Sequence, residues 1–344
     1  MNPAISVVLP VFNAVAYVEA AVQSVLEQTF ENFELILIDD GSTDASGDIL
    51  RKLAARDTRV RLIQRENRGL IATLNEGVAM ARAPFVARMD ADDISLPCRL
   101  ALQFERMCAD PSLVVLGGAI RYLDAAGRLG RTVVYPTGEK IETAILWGAP
   151  VAHPATMFRT EAGRRVGGYS HLFAHAEDYA LWLQLRNSGK VDNLPQTVLH
   201  YRVHGQSTSH MHALSQRTST LRAQALWLAG VQPSPALIDI PSNLDFLESL
   251  PLLQQTRVDI LARMLALSPH IIGDEFVDTE TSQWLQIVLG TAQTPTLRQG
   301  RAWFHLRAAR LYPKMALRRL RHLCQAVLAS PRACMALFCK RFDC

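Results

Sequence analysis

Asp90-Ala91-Asp92-Asp93 holds the densest cluster of reactive side chains in this chain. It follows the apolar run Phe85 to Met89, whose length suits a buried strand. Carboxylates crowded at a strand end repel one another unless a cation neutralises them. Alternate residues of an extended segment share a face, so Asp90 and Asp92 are expected to point together. Hard oxygen ligands suit Mg2+ or Mn2+, which keep open positions for phosphate oxygens. The pattern predicts a metal-assisted site for a phosphate-bearing ligand, with a solvated acidic turn as the plainer alternative.

Three further clusters carry chemistry. Asp39-Asp40-Gly41-Ser42-Thr43-Asp44 follows the apolar run 35–38. Gly41 permits a tight turn, and Ser42 or Thr43 can cap the next helix. Asp40 can accept the imide N–H of a base such as uracil, or the whole segment can be an ordinary acidic cap. Glu177-Asp178 opens a helix-like segment, where acids complement the dipole. Either acid can instead act as general base toward a hydroxyl. Tyr201-Arg202-Val203-His204 ends a strand-like run. There Arg202 can offset phosphate charge and His204 can ligate a metal or contact a phosphate, although a lone histidine is more often structural. His153 and His175 carry weaker signals.

The elements that must position these groups alternate. Ile5 to Pro10, Leu35 to Ile38, Val60 to Ile63 and Phe85 to Met89 read as strands. Helical spacing joins Val15 to Leu26 with Asn13 as N-cap, then Asp44 to Arg56, then Leu70 to Ala81. Pro97 suits the first turn of a helix running to Cys108. This order predicts a mostly parallel sheet with helices on both faces. Leu113 to Leu123 and Leu129 to Tyr135 flank a hairpin turn at Asp124 to Gly127. Asp178 to Asn187 reads as helix and Thr197 to His204 as strand.

At 49% hydrophobic, the 344 residues can bury a large core. No apolar stretch of roughly 18 residues predicts a membrane span, and the N-terminus does not read as a secretory signal. The six cysteines include no CxxC pair, so free thiols in a reducing cytoplasm are expected. Strand one ends in Pro10-Val11-Phe12-Asn13 without the glycines of a GxGxxG loop, which argues against a nicotinamide enzyme.

Together these pieces resemble family 2 glycosyltransferases of the GT-A fold. Pro10 to Asn13, Asp39 to Asp44, Asn67-Arg68-Gly69-Leu70, Asp90 to Asp93, Glu177-Asp178 and the Arg202/His204 pair stand in family order across about residues 4 to 210. The resemblance implies a nucleotide-sugar donor, most often a UDP-sugar, and an inverting mechanism assisted by Mn2+ or Mg2+. It implies that Asp40 binds uracil, that Pro10 and Asn13 line the nucleotide pocket, and that Asp90 contacts the ribose or metal region. Asp92 matches the DxD metal ligand, Asp178 the catalytic base, and His204 a late residue near the diphosphate. The acceptor is expected to be a glycan or a lipid-linked sugar. An inactive nucleotide-sugar-binding scaffold and a sugar-phosphate nucleotidyltransferase are the competing functions.

The catalytic domain is expected over 1–215, with a mostly helical region over 216–344. From Arg298 onward, 11 Lys/Arg face a single acid, Asp343, interleaved with apolar residues. This tail reads as basic amphipathic helices for an anionic membrane surface, with a bundle packed on the catalytic domain as the alternative and no nucleic-acid module recognised. A cytoplasmic enzyme, peripheral on the inner face of the plasma membrane, is the expectation.

Overall fold

The computed structural model describes residues 2–145, 148–203 and the helical positions 216, 219, 220 and 223. All of these fall in one compact unit that ends at Gln224. Otherwise the expected helical region 216–344, its basic tail and His204 lie outside the described residues.

The strands are β1 (Ile5–Val11), β2 (Phe33–Asp40), β3 (Val60–Arg65), β4 (Phe85–Arg88), β5 (Ile94–Ser95), β6 (Leu113–Asp124), β7 (Leu129–Val133), β8 (Met157–Arg159) and β9 (Lys190–Val203). The helices are α1 (Val18–Leu26), α2 (Ser46–Ala54), α3 (Leu70–Met80), α4 (Arg99–Ala109), α5 (Lys140–Ala144), α6 (Thr160–Arg165) and α7 (Glu177–Arg186). One sheet runs in the order β3-β2-β1-β4-β8-β6-β9-β5, with β7 hydrogen-bonded to β6. Strands β1 to β4 are mutually parallel. The short β8 inverts direction between β4 and β6, and β9 then runs parallel to β6. The sheet is therefore mixed, although most strands run one way. As a result β1, β2, β4, β6 and β9 all deliver their carboxyl ends to one edge, where open α/β sheets bind ligands.

Burial explains why these segments are strands. Every position of β1, β2 and β4 is buried, as a sheet covered on both faces requires. Helix α1 turns Val18, Ala21, Val22 and Val25 into the core, and α2 turns in Leu50 and Leu53. Helix α3 reaches β1 through Gly77, where a Cβ would stand 2.3 Å from a Val8 methyl. Helix α7 is buried from Tyr179 to Leu185, with Trp182 packed on Phe158 at 6.0 Å between rings.

Several local expectations need correction. Asn13 does not cap α1, which starts at Val18 after Tyr17. Its side-chain oxygen instead accepts Thr43 N at 2.8 Å, and its own N–H donates to Ser42 Oγ at 3.0 Å. Ser42 and Thr43 are thus engaged across the loop, and Asp44 Oδ1 takes Ser46 N at 2.9 Å at the start of α2. Pro97 precedes α4 rather than opening it. Two-residue β5 had no pattern to reveal it. The hairpin forms as expected: Asp124 Oδ1 accepts Ala126 N at 2.9 Å and Arg128 N at 2.8 Å, and Gly127 takes φ 82°.

Candidate active site

Strand β4 ends at Arg88, and the acidic quartet forms a turn rather than extended chain. The carboxylates still converge, because the turn folds them back: oxygens of Asp90, Asp92 and Asp93 lie within 4.8 Å of one another. Asp93 is 1% exposed. Its Oδ1 accepts Arg202 N at 2.7 Å, while its Oδ2 is buried without a hydrogen-bond partner. Burial, then the charges of Asp90 and Asp92, push the Asp93 carboxyl well above the usual range. An orphaned buried oxygen beside two further carboxylates is a donor set that fits a hard divalent cation.

Arg88 is the counter-charge within the protein. It is 3% exposed and forms an ion pair with Asp90. Its Nε has no hydrogen-bond partner. Beneath it, the buried Arg99 guanidinium bonds the Arg88 carbonyl at 2.6 Å and the Thr156 carbonyl at 3.2 Å, tying β4 to the neighbouring loop.

Arg88, Asp90, Asp92, His153, Glu177 and Asp178 line one cleft of about 990 Å³. Asp178 stands in the first turn of α7, with Oδ1 accepting Tyr179 N at 2.7 Å. Burial raises its carboxyl above the usual aspartate value. Burial and the adjacent Asp178 raise Glu177 to about 7. Burial and the Arg88 charge push the His153 imidazole well below its ordinary value. Its Nε2 lies 3.0 Å from the Tyr169 hydroxyl.

The remaining expected residues lie elsewhere. Pro10, Asn13 and Asp40 are not on the wall of this cleft; they stand at the carboxyl ends of β1 and β2, or just beyond. Asp40 is turned into the protein: Oδ1 binds the Arg65 guanidinium and Arg68 N at 2.8 Å, and Oδ2 accepts Gly69 N at 2.9 Å. A carboxylate offers about four acceptor sites, so one is left for an incoming N–H. Arg202 is buried and committed to positioning. Its Nε donates to the Asp92 carbonyl at 2.6 Å and its Nη1 to the Asp124 carbonyl at 3.2 Å, and its guanidinium lies over Tyr17 at 4.5 Å. Sequence reasoning missed Arg88, whose signal was a cation inside a run otherwise read as apolar.

The sequence model described as Glycosyl transferase family 2 matches residues 6–166. The O-antigen biosynthesis glycosyltransferase WbnJ of Escherichia coli is 34% identical over 213 residues, covering 59% of this chain and 81% of that protein. The chain belongs to glycosyltransferase family 2. A chondroitin synthase of Pasteurella multocida is 28% identical over 60% of this chain and 21% of its own length. The fold matches Staphylococcus aureus TarS 1–349 in complex with UDP-GlcNAc, with TM-score 0.61 and 18% identity over 93% of this chain and 89% of that one. It also matches the mannosyltransferase PcManGT of Pyrobaculum calidifontis in complex with GDP-Man and Mn2+, with TM-score 0.51 and 18% identity over 96% and 88% of the two chains. The GT-A fold and the glycosyltransferase class read from the sequence are borne out.

Proposed function

We propose that this glycosyltransferase moves a sugar from a UDP-sugar to a hydroxyl of a glycan acceptor, with inversion, in the synthesis of a surface polysaccharide. One observation carries the reading: Asp92, in a cation-suited cluster, and Asp178, a raised carboxyl, line the same cleft at the carboxyl edge of the sheet. TarS with UDP-GlcNAc and the polysaccharide-building relatives support the donor and the pathway.

The residues divide the work. Asp178 takes the acceptor proton as the acceptor oxygen bonds the anomeric carbon. The bond to the donor phosphate breaks, and UDP leaves with the electron pair. A hydroxyl is a weak nucleophile at neutral pH, and a positioned base contributes ~10²–10⁴ in rate. Asp92, with Asp90 and Asp93 beside it, would hold Mn2+ or Mg2+, which when bound would supply Lewis-acid stabilisation of the leaving diphosphate. Arg202 fixes the Asp92 backbone that presents this cluster. Asp40, Pro10 and Asn13 receive the base end of the nucleotide, using the spare acceptor site on Asp40.

The test is UDP release from a UDP-sugar with and without acceptor. Asp178→Asn is expected to lose at least ~10²-fold in transfer while still gaining thermal stability from the donor. Undiminished transfer in that variant would remove the base from the mechanism.

A further inference from the structure

The cleft extends beyond its acidic part onto the β6–β7 hairpin and β9. Three tyrosines gather on that extension. Tyr122 and Tyr201 are directly paired across β6 and β9, and their rings meet edge-on at 6.0 Å. Tyr135 follows β7, and burial pushes its phenol to about 12, helped by Tyr122 and by Asp178. Tyr135 therefore stands within electrostatic reach of Tyr122 and of the base. Leu129 and Val203 line the same wall while 44% and 37% exposed.

Phenol rings and aliphatic side chains lining a wet cleft favour a ligand that removes them from water. Tyrosine adds a polar end that needs a hydrogen-bond partner once covered. An alkyl chain meets the first demand and leaves the hydroxyls of Tyr122 and Tyr135 unpaired, at a cost. A pyranose meets both, with a C–H face for the rings and a rim of hydroxyls for the phenols.

We propose that Tyr122, Tyr135 and Tyr201 form the acceptor subsite and hold a pyranose ring with one hydroxyl presented to Asp178. This rests on the transferase reading and names the residues that take the acceptor, which that reading leaves unassigned.

The experiment uses the full chain, a panel of nucleotide sugars as donors, and methyl glycosides of common hexoses and N-acetylhexosamines as acceptors. UDP release from a donor to water, and donor-induced thermal stabilisation, check the transferase reading separately. Among methyl glycosides that accelerate release, Tyr122→Leu is expected to raise acceptor KM about tenfold, equivalent to ~1.4 kcal/mol of lost binding. Donor KM is expected to move less than about twofold. Tyr122→Phe keeps the ring but loses the hydroxyl, and is expected to recover only part of the acceptor KM. Tyr201→Leu repeats the test should Tyr122→Leu melt early. An unchanged acceptor KM in both leucine variants, or a parallel rise in donor KM, overturns the proposal. So does a donor that releases UDP to water but is not accelerated by any methyl glycoside.

Discussion

Arg88 sits where four carboxylates would otherwise face each other across a cleft. Its charge acts on Asp90 and Asp93 and also reaches Glu177 and Asp178. Removing one partner of a buried pair leaves the other uncompensated. Asp90 is partly exposed, so solvent screens some of that cost. Arg88→Leu is expected to lower stability by ~2 kcal/mol, read by urea denaturation at neutral pH. Glu177 gives a pH signature. Its folded value of about 7 lies above its ordinary 4.5, so the folded chain holds its proton more tightly than the unfolded chain. Stability is therefore greatest from this group below about 4.5 and is lost as pH rises through about 7. Glu177→Gln is expected to raise the melting temperature at pH 8 more than at pH 4.5, and equal shifts at both would contradict the burial cause. At this scale the acids were legible, because carboxylates packed into four residues have few structural uses. Arg88 was less so, since a single cation in an apolar run says nothing of its partners.

Elements decide where those residues meet. The β2–α2 turn at Gly41 takes φ 75°, and a Cβ there would stand 2.6 Å from Asn67 N. Asn67 leads into the Arg68 and Gly69 N–H groups that hold Asp40. Gly41→Ala is expected to cost ~1–3 kcal/mol and to weaken UDP binding severalfold, measured by denaturation and calorimetry. Wild-type UDP affinity in that variant would separate Asp40 from nucleotide recognition. Strands β1 to β4 were readable because a sheet buried on both faces leaves continuous apolar runs. The caps were not, because Asn13, Ser42 and Thr43 satisfy one another across loops rather than along their own helices. The inversion at β8 was hidden too: three residues carry no period, and their pairing is set by neighbours distant in sequence. The convergence of Asp92 with Asp178 likewise depends on that topology, which brings α7 to the carboxyl edge of β4.

At the scale of the molecule, charge is divided. The tail from Arg298 carries 11 Lys/Arg against one acid, while the 297 residues before it carry 25 against 31. No helix among the described residues is long and apolar enough to cross a membrane. We read the tail as a peripheral attachment to anionic lipid, which suits an acceptor carried on a membrane. The full chain is expected to sediment with vesicles containing phosphatidylserine and to dissociate at high salt, whereas a chain ending near residue 297 stays in solution. Sedimentation of the shortened chain would assign attachment elsewhere. Charge asymmetry was legible in composition alone, but a basic amphipathic pattern has the same appearance on a membrane or on a protein partner.

The proposed transfer requires one cleft to hold both the cation cluster and the base. Diffraction from crystals grown with UDP and Mn2+, recorded at the manganese edge, tests this directly. The expected result is an anomalous peak within ~2.2 Å of an Asp92 oxygen, with the diphosphate beside it in the cleft lined by Asp178. A bound UDP whose manganese lies away from Asp92, or whose diphosphate lies outside that cleft, would contradict it.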